Sequence, residues 1–203
     1  MHKGGKSINR TEIADNLWSE FEGDKAIVNF NTTLSYTRKA FSAFNMEFPI
    51  VFDRGCYTVD MANVYCDYLT FAELKIDNEI FNAETARLYE SLINLYTGDY
   101  LAANDYNWAG NRRLILKDKY IRLIKAVSKY YYGVKNYEKV IAYMVRGFII
   151  TPLDTEIINC LIGTLVTAGN LSLALNYYNI YREALQNELN MEPDYSLKRI
   201  LGI

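Results

Sequence analysis

Lys25, Asn29, Thr32, Thr33, Tyr36 and Lys39 make up the polar side of a stretch whose apolar residues recur every three or four positions, with Arg38 at its flank. Such spacing gathers side chains on one face of an α-helix. Hydroxyl and amide groups on that face suit base edges, and cations suit phosphates, if the helix lies in a major groove. The same composition also describes an ordinary solvated helix face, and spacing alone does not separate the two readings. A further cation, Arg54, stands in Asp53-Arg54-Gly55, a tight-turn sequence between two short apolar runs. There it is either a minor-groove probe or a plain turn arginine.

Other chemistry is sparse. The chain has 203 residues, a formal charge of −2 and an isoelectric point near 5.5. No global field draws it to nucleic acid or anionic lipid, although a local basic face remains open. Cys56, Cys66 and Cys160 show no CxxC spacing. They read as buried, reduced thiols of a cytoplasmic protein. His2 is the single histidine, so the usual zinc site is not expected and a Ser-His-Asp triad would need a terminal residue. The Glu20/Glu22 pair lies in a turn with no partner base. We therefore expect no catalytic residue, no metal and no cofactor, and no enzyme. No apolar run approaches a membrane span, and the first residues lack the apolar core of a signal peptide.

Short segments must position the polar face. Asn9 followed by Glu12 suits a capping box, and Ile13, Leu17 and Trp18 form an apolar stripe, so a short helix is expected over 10–19. Gly23 punctuates a turn. The long helix over 24–41 turns Ile27, Phe30, Leu34, Thr37 and Phe41 inward. Residues 49–52 and 56–59 then read as a β-hairpin with Arg54 at its tip. Short helix, turn, long helix and hairpin is the order of the second half of a winged helix-turn-helix. Residues 1–59 hold seven Lys/Arg and seven Asp/Glu. That balance implies weak binding of a monomer to DNA and a shallow salt dependence.

The rest of the chain reads as helix. In 131–186 a pattern is written twice: Tyr131, Val140, Met144 and Gly147 recur as Leu165, Ala174, Tyr178 and Tyr181, offset by 34 residues. That is the tetratricopeptide (TPR) period, and Pro152 stands where such a repeat ends. Two copies do not bury their own faces, so the preceding helices are expected in the same stack. About seven helices follow the hairpin. One of them, over 109–132, carries Arg112, Arg113, Lys117, Lys119, Arg122, Lys125 and Lys129. This basic stripe reads as the outer side of a buried helix or, less simply, as a surface for acidic partners. Trp18 and Trp108 are expected as core anchors, and TPR-type core packing accounts for most of the tyrosine clusters.

Several segments resemble the bacterial transcriptional activator domain family. Leu95-Tyr96-Thr97-Gly98-Asp99-Tyr100-Leu101, with Trp108 and Arg112-Arg113, is similar to its LY-x-GD-x-L…W…R signature. Pro152-Leu153-Asp154-Thr155-Glu156 resembles its D-P-L-x-x-E element, with Thr151 in place of the usual Asp. Gly169, Ala174, Tyr178 and 188–193 resemble its closing stretch, with Asn190 in place of the usual Gly. Upstream, 10–18 is similar to the positioning helix of a response-regulator-type winged helix. Phe30, Leu34, Ser35 and 38–41 resemble its recognition helix, with Thr37 in place of Leu, and Gly55 and Tyr57 resemble its wing.

The resemblance implies a mainly α fold: a TPR-like helical-repeat domain over 63–203, preceded over 1–62 by a truncated winged helix-turn-helix with a β-hairpin wing. The small sheet and first helix that begin the family's winged helix are missing, which implies either a fragment of a longer regulator or an incomplete DNA-binding half, and the apolar stripe over 10–19 then needs another partner. The implied function is that of an antibiotic-regulatory-protein-like or response-regulator-type transcriptional regulator. Its partners would be promoter DNA, through Lys25, Asn29, Thr32, Thr33, Tyr36, Arg38, Lys39 and Arg54, and either a second copy or the transcription machinery, through the repeats. In the family a receiver of a two-component system often precedes this unit; this sequence holds no receiver signals. The competing expectation is a TPR-like scaffold that binds a peptide and never touches DNA.

Overall fold

The computed structural model describes residues 6–21, 23–73, 75 and 81–203. His2 and Glu22 lie outside them. The fold is mainly helical with one small sheet, and the described chain divides into two units, Met1–Glu73 with Gly98–Arg113 and Leu74–Thr97 with Leu114–Ile203. No helix among the described residues is long and apolar enough to cross a membrane.

The first unit opens with strand β1 (Ile8–Asn9), which the sequence does not predict, followed directly by helix α1 (Arg10–Leu17). Asn9 serves both elements. It pairs with Cys56 in the sheet, and its side chain accepts the Glu12 N–H at 2.8 Å to cap α1. Helix α2 (Asp24–Ala43) follows, then β2 (Ile50–Asp53), β3 (Cys56–Val59) and α3 (Asp67–Glu73). The sheet is antiparallel in the order β1-β3-β2. Ala14, Ala26 and Phe30 form a small buried cluster, with Ile13, Trp18, Ile27, Leu34 and Tyr57 packed around it. Tyr57 ties sheet to helix: its ring meets Phe30 edge-on at 4.9 Å and Phe52 at 4.7 Å.

Residues 98–113 complete this unit, and they explain the signature read there. The indole N–H of Trp108 donates to the Asn16 carbonyl at 2.9 Å. Arg113 donates to the carbonyls of Tyr100, Leu101 and Asn104, holding an irregular segment that lacks its own ladder. Arg112 bonds the Tyr68 hydroxyl and lies over its ring. The expected basic stripe is therefore not a plain outer face at its start, because two of its cations are structural. Trp18 and Trp108 are half-buried rather than core-enclosed.

The second unit contains α4 (Ala83–Leu95), most of α5 (Gly110–Gly133), α6 (Tyr137–Ile150), α7 (Thr155–Thr167), α8 (Leu171–Leu189) and α9 (Tyr195–Leu201). Side-chain caps start several of them: Asn82 for α4, Asn136 for α6, Asp154 for α7 and Asp194 for α9. Gly169 turns the chain between α7 and α8 at φ 78°, where a side chain would be strained. The repeat positions are buried in both copies: Tyr131 with Leu165, Val140 with Ala174, Met144 with Tyr178, and Gly147 with Tyr181. Tyr130 and Tyr177 are half-buried and Tyr132 is exposed, so core packing claims only part of the tyrosine clusters.

Gly147 sets the spacing of α5, α6 and α7. A Cβ there would lie 2.9 Å from Ile157 Cδ1 and 3.3 Å from Ile124 Cγ2. The Gly147→Val variant is therefore expected to lose about 2–3 kcal/mol of stability through overpacking, read as a lower urea midpoint.

The same unit holds a polar cluster between α4, α5 and α6. Lys139 donates to Glu90 at 2.7 Å and to the Tyr131 hydroxyl at 2.7 Å, and the Tyr143 hydroxyl donates to Glu90 at 2.8 Å. Burial pushes the Tyr143 hydroxyl up to about 12, with its bond to Glu90 acting the same way. Burial also opposes the Glu90 charge, but the Lys139 and tyrosine hydrogen bonds outweigh it and hold the carboxyl below its ordinary value of 4.5. A lowered carboxyl stabilises the fold above its ordinary value and loses that effect as pH falls below it. Glu90→Gln should cost about 1–2 kcal/mol at neutral pH, and the gap to the unaltered protein should narrow as pH falls below the ordinary carboxyl value, measured by urea unfolding across an acidic pH series.

Candidate nucleic-acid interface

Helix α2 is amphipathic along its length. Ala26, Ile27, Phe30, Leu34, Thr37 and Phe41 follow the 3,4 spacing of a buried side. The opposite side carries Lys25, Asn29, Thr32, Tyr36 and Lys39, so the structure brings these five together on one face. Lys25, Thr32, Tyr36 and Lys39 are exposed and Asn29 is half-buried. Tyr36 keeps 67% of its surface in solvent, and the Lys39 ammonium stands 6.0 Å from its ring centre. The Tyr36 ring thus lies outside the buried core.

The remaining three candidates sit apart. Thr33 turns to the edge of the helix and lines an apolar groove. Its carbonyl accepts the Thr37 hydroxyl at 2.8 Å. Arg38 lies on the other flank, its guanidinium 5.2 Å from the centre of the Phe48 ring, which itself meets Phe41 edge-on. Arg54 occupies the hairpin tip. Its side chain is 93% exposed and reaches Asp53 only at 3.8 Å. An exposed pair of that length fixes nothing.

The turn at the tip is strained. Asp53 pairs with Cys56, leaving Arg54 and Gly55 as the two connecting residues, at φ 47° and 82°. Two positive φ values define a type I′ turn, which favours Asn-Gly. Gly55 takes this conformation freely, whereas arginine does so at a cost.

The groove lined by Thr33 has a volume of about 560 Å³. Ile13, Leu17, Trp18 and Leu34 form part of its wall, so the apolar stripe of α1 is only half covered by α2. Spacing shows the stripe but not the groove, because the β1 strand that shapes one side is only two residues long. The second unit holds a separate groove of about 1030 Å³ on α5 and α7. Its signal was present in the repeat register: Lys125 and Lys129 fall 34 residues before Asn159 and Gly163. Among the described residues, no three of His, Cys, Asp or Glu cluster as a metal site would require.

Residues 71–201 match the family described as the bacterial transcriptional activator domain. The chain belongs to that family, a class of domain found in transcriptional activators. A solved structure of Mycobacterium tuberculosis EmbR, in complex with a low-affinity phosphopeptide, superposes with a TM-score of 0.66 at 15% identity. The likeness covers 97% of this chain and 54% of that one, so this chain spans about half the length of the EmbR chain. At this identity the likeness is one of fold. No curated protein matches the chain in sequence.

The strained tip gives a test independent of ligand. Arg54→Asn should raise stability by about 0.5–1 kcal/mol by relieving the left-handed conformation, seen as a higher thermal midpoint.

Proposed function

We propose that the chain is the DNA-contacting and regulatory part of a transcriptional regulator and catalyses no reaction. In this reading α1, α2 and the β2–β3 hairpin work as a winged helix, with α2 in the major groove and Arg54 toward the minor groove. The helical-repeat unit makes protein contacts, either with a second copy or with the transcription machinery. The observation that carries the reading is the Tyr36 and Lys39 pair, exposed on a polar helix face beside a cation-tipped hairpin, in a chain of an activator-domain family.

Charge shapes the mechanism. With equal numbers of acids and bases over residues 1–59, few phosphates are neutralised. Specificity then rests on short-range contacts from Asn29, Thr32 and Tyr36, while Lys25 and Lys39 set the register on the backbone. Affinity comes from two copies on paired half-sites. The same neutrality favours the rival reading, a repeat scaffold that never meets DNA, and the experiment separates them.

Duplexes selected from a randomised pool should yield a sequence preference at low salt. Tyr36→Ala with Lys39→Ala should weaken binding to the selected duplex by about ten-fold or more, the scale of one or two specific contacts. The thermal midpoint should stay unchanged, since neither side chain packs in the core. Selection that returns no preferred sequence supports the scaffold instead.

A further inference from the structure

We propose that Val28 is a specificity residue of the DNA-contacting face, seated against the 5-methyl group of a thymine in the major groove. The proposal rests on the DNA-contact role given above to α2, and it names one kind of base that the face reads.

A choice of contact residues by polarity passes over Val28, yet it belongs to the same stripe. Lys25, Val28, Thr32, Tyr36 and Lys39 step by 3, 4, 4 and 3 residues along α2, which puts them on one side of the helix. Phe30 and Leu34, which hold α2 to its unit, lie on the far side. Val28 keeps 60% of its surface in solvent, close to the 67% of Tyr36. A β-branched side chain loses rotamer freedom in a helix and lowers helix propensity. Burial in a core commonly offsets that loss, and at Val28 most of the side chain stays in water.

The stripe is cationic at both ends and uncharged between them. Lys25 and Lys39 stand about 21 Å apart along the helix axis, whereas the major groove is about 12 Å wide. With Thr32 at its centre, that width takes in the four residues on either side, Val28 to Tyr36. The two lysines then fall over phosphates, and Val28, Thr32 and Tyr36 lie over base edges. None of the five is acidic, so nothing on the stripe opposes the polyanion. In the major groove the one apolar group that a base presents is the 5-methyl of thymine. Val28 offers methyl groups and nothing that bonds hydrogen. Against the edge of guanine, cytosine or adenine it would leave a donor or acceptor desolvated and unpaired. Thr32, one helical turn on and exposed, adds a further methyl beside its hydroxyl. The two side chains together make a small apolar surface on an otherwise polar face.

The test uses the duplex selected from a randomised pool, with each thymine in turn replaced by deoxyuridine, and the full chain. Deoxyuridine keeps the Watson–Crick partners and removes only the 5-methyl group. One of these replacements should weaken binding about four-fold, the scale of a single buried methyl. Val28→Ala should weaken binding to the thymine duplex by about the same factor and be indifferent to that replacement, because the two changes remove one contact. Its thermal midpoint should be unchanged or slightly higher, which separates a lost contact from a lost fold. Equal affinity for the thymine and deoxyuridine duplexes at every position overturns the proposal. So does a Val28→Ala variant that binds the thymine duplex as well as the unaltered chain, or that keeps its full thymine preference at every position. A pool that yields no preferred sequence removes the DNA role of α2 and this contact with it. A preferred duplex with no dependence on thymine methyls removes the contact alone.

Discussion

The second unit depends on how closely α6 approaches its neighbours. At Gly147 the space a side chain would fill is taken by the ends of Ile157 and Ile124, one from the helix before and one from the helix after. That contact lets three helices share one layer of apolar residues: Leu123, Ile124 and Val127 on α5, and Ile157, Ile158, Leu161, Ile162 and Leu165 on α7, each buried. Fully burying a Leu or Ile contributes about 1.5–3 kcal/mol, and these positions lose part of it if α6 moves outward. The next copy solves the same problem with bulk, placing buried Tyr181 at the position equivalent to Gly147. Repeat architecture is thus maintained by matched volumes rather than by identical residues.

This difference explains what the sequence disclosed. Period and burial are properties of the chain itself, so the 34-residue offset, the buried repeat positions and the helix over 109–132 were legible. The hairpin was equally plain, because Asp53-Arg54-Gly55 carries its turn chemistry locally. Strand β1 was not legible. Two residues have no periodicity, and Ile8 and Asn9 become a strand only because Tyr57 and Cys56 lie opposite. The basic stripe of α5 misled for a similar reason. Seven cations on one helix read as a single face, yet Arg112 and Arg113 bind groups of the 68–104 region and Lys125 is held by acids of α7. Partners distant in sequence decide what a charge does, and spacing carries no information about them.

The two units divide in character. The first has a core of only a few buried residues and displays its polar side chains outward, including a tyrosine in water and an arginine in a strained turn. The left-handed conformation of Arg54 costs stability. The second is densely packed, and its polar groups are mostly committed to each other, as in the Glu90, Lys139 and Tyr143 cluster. The activator-domain match covers residues 71–201; in the function proposed above, the helical stack makes protein contacts and the small unit meets DNA.

Amide hydrogen exchange, recorded on the full chain with and without a saturating selected duplex, tests this division most directly. The account predicts slowed exchange in α2 and the β2–β3 hairpin, whether or not contact between two copies also slows the helical stack. Slowing confined to α5 and α7, or none in α2, would contradict it.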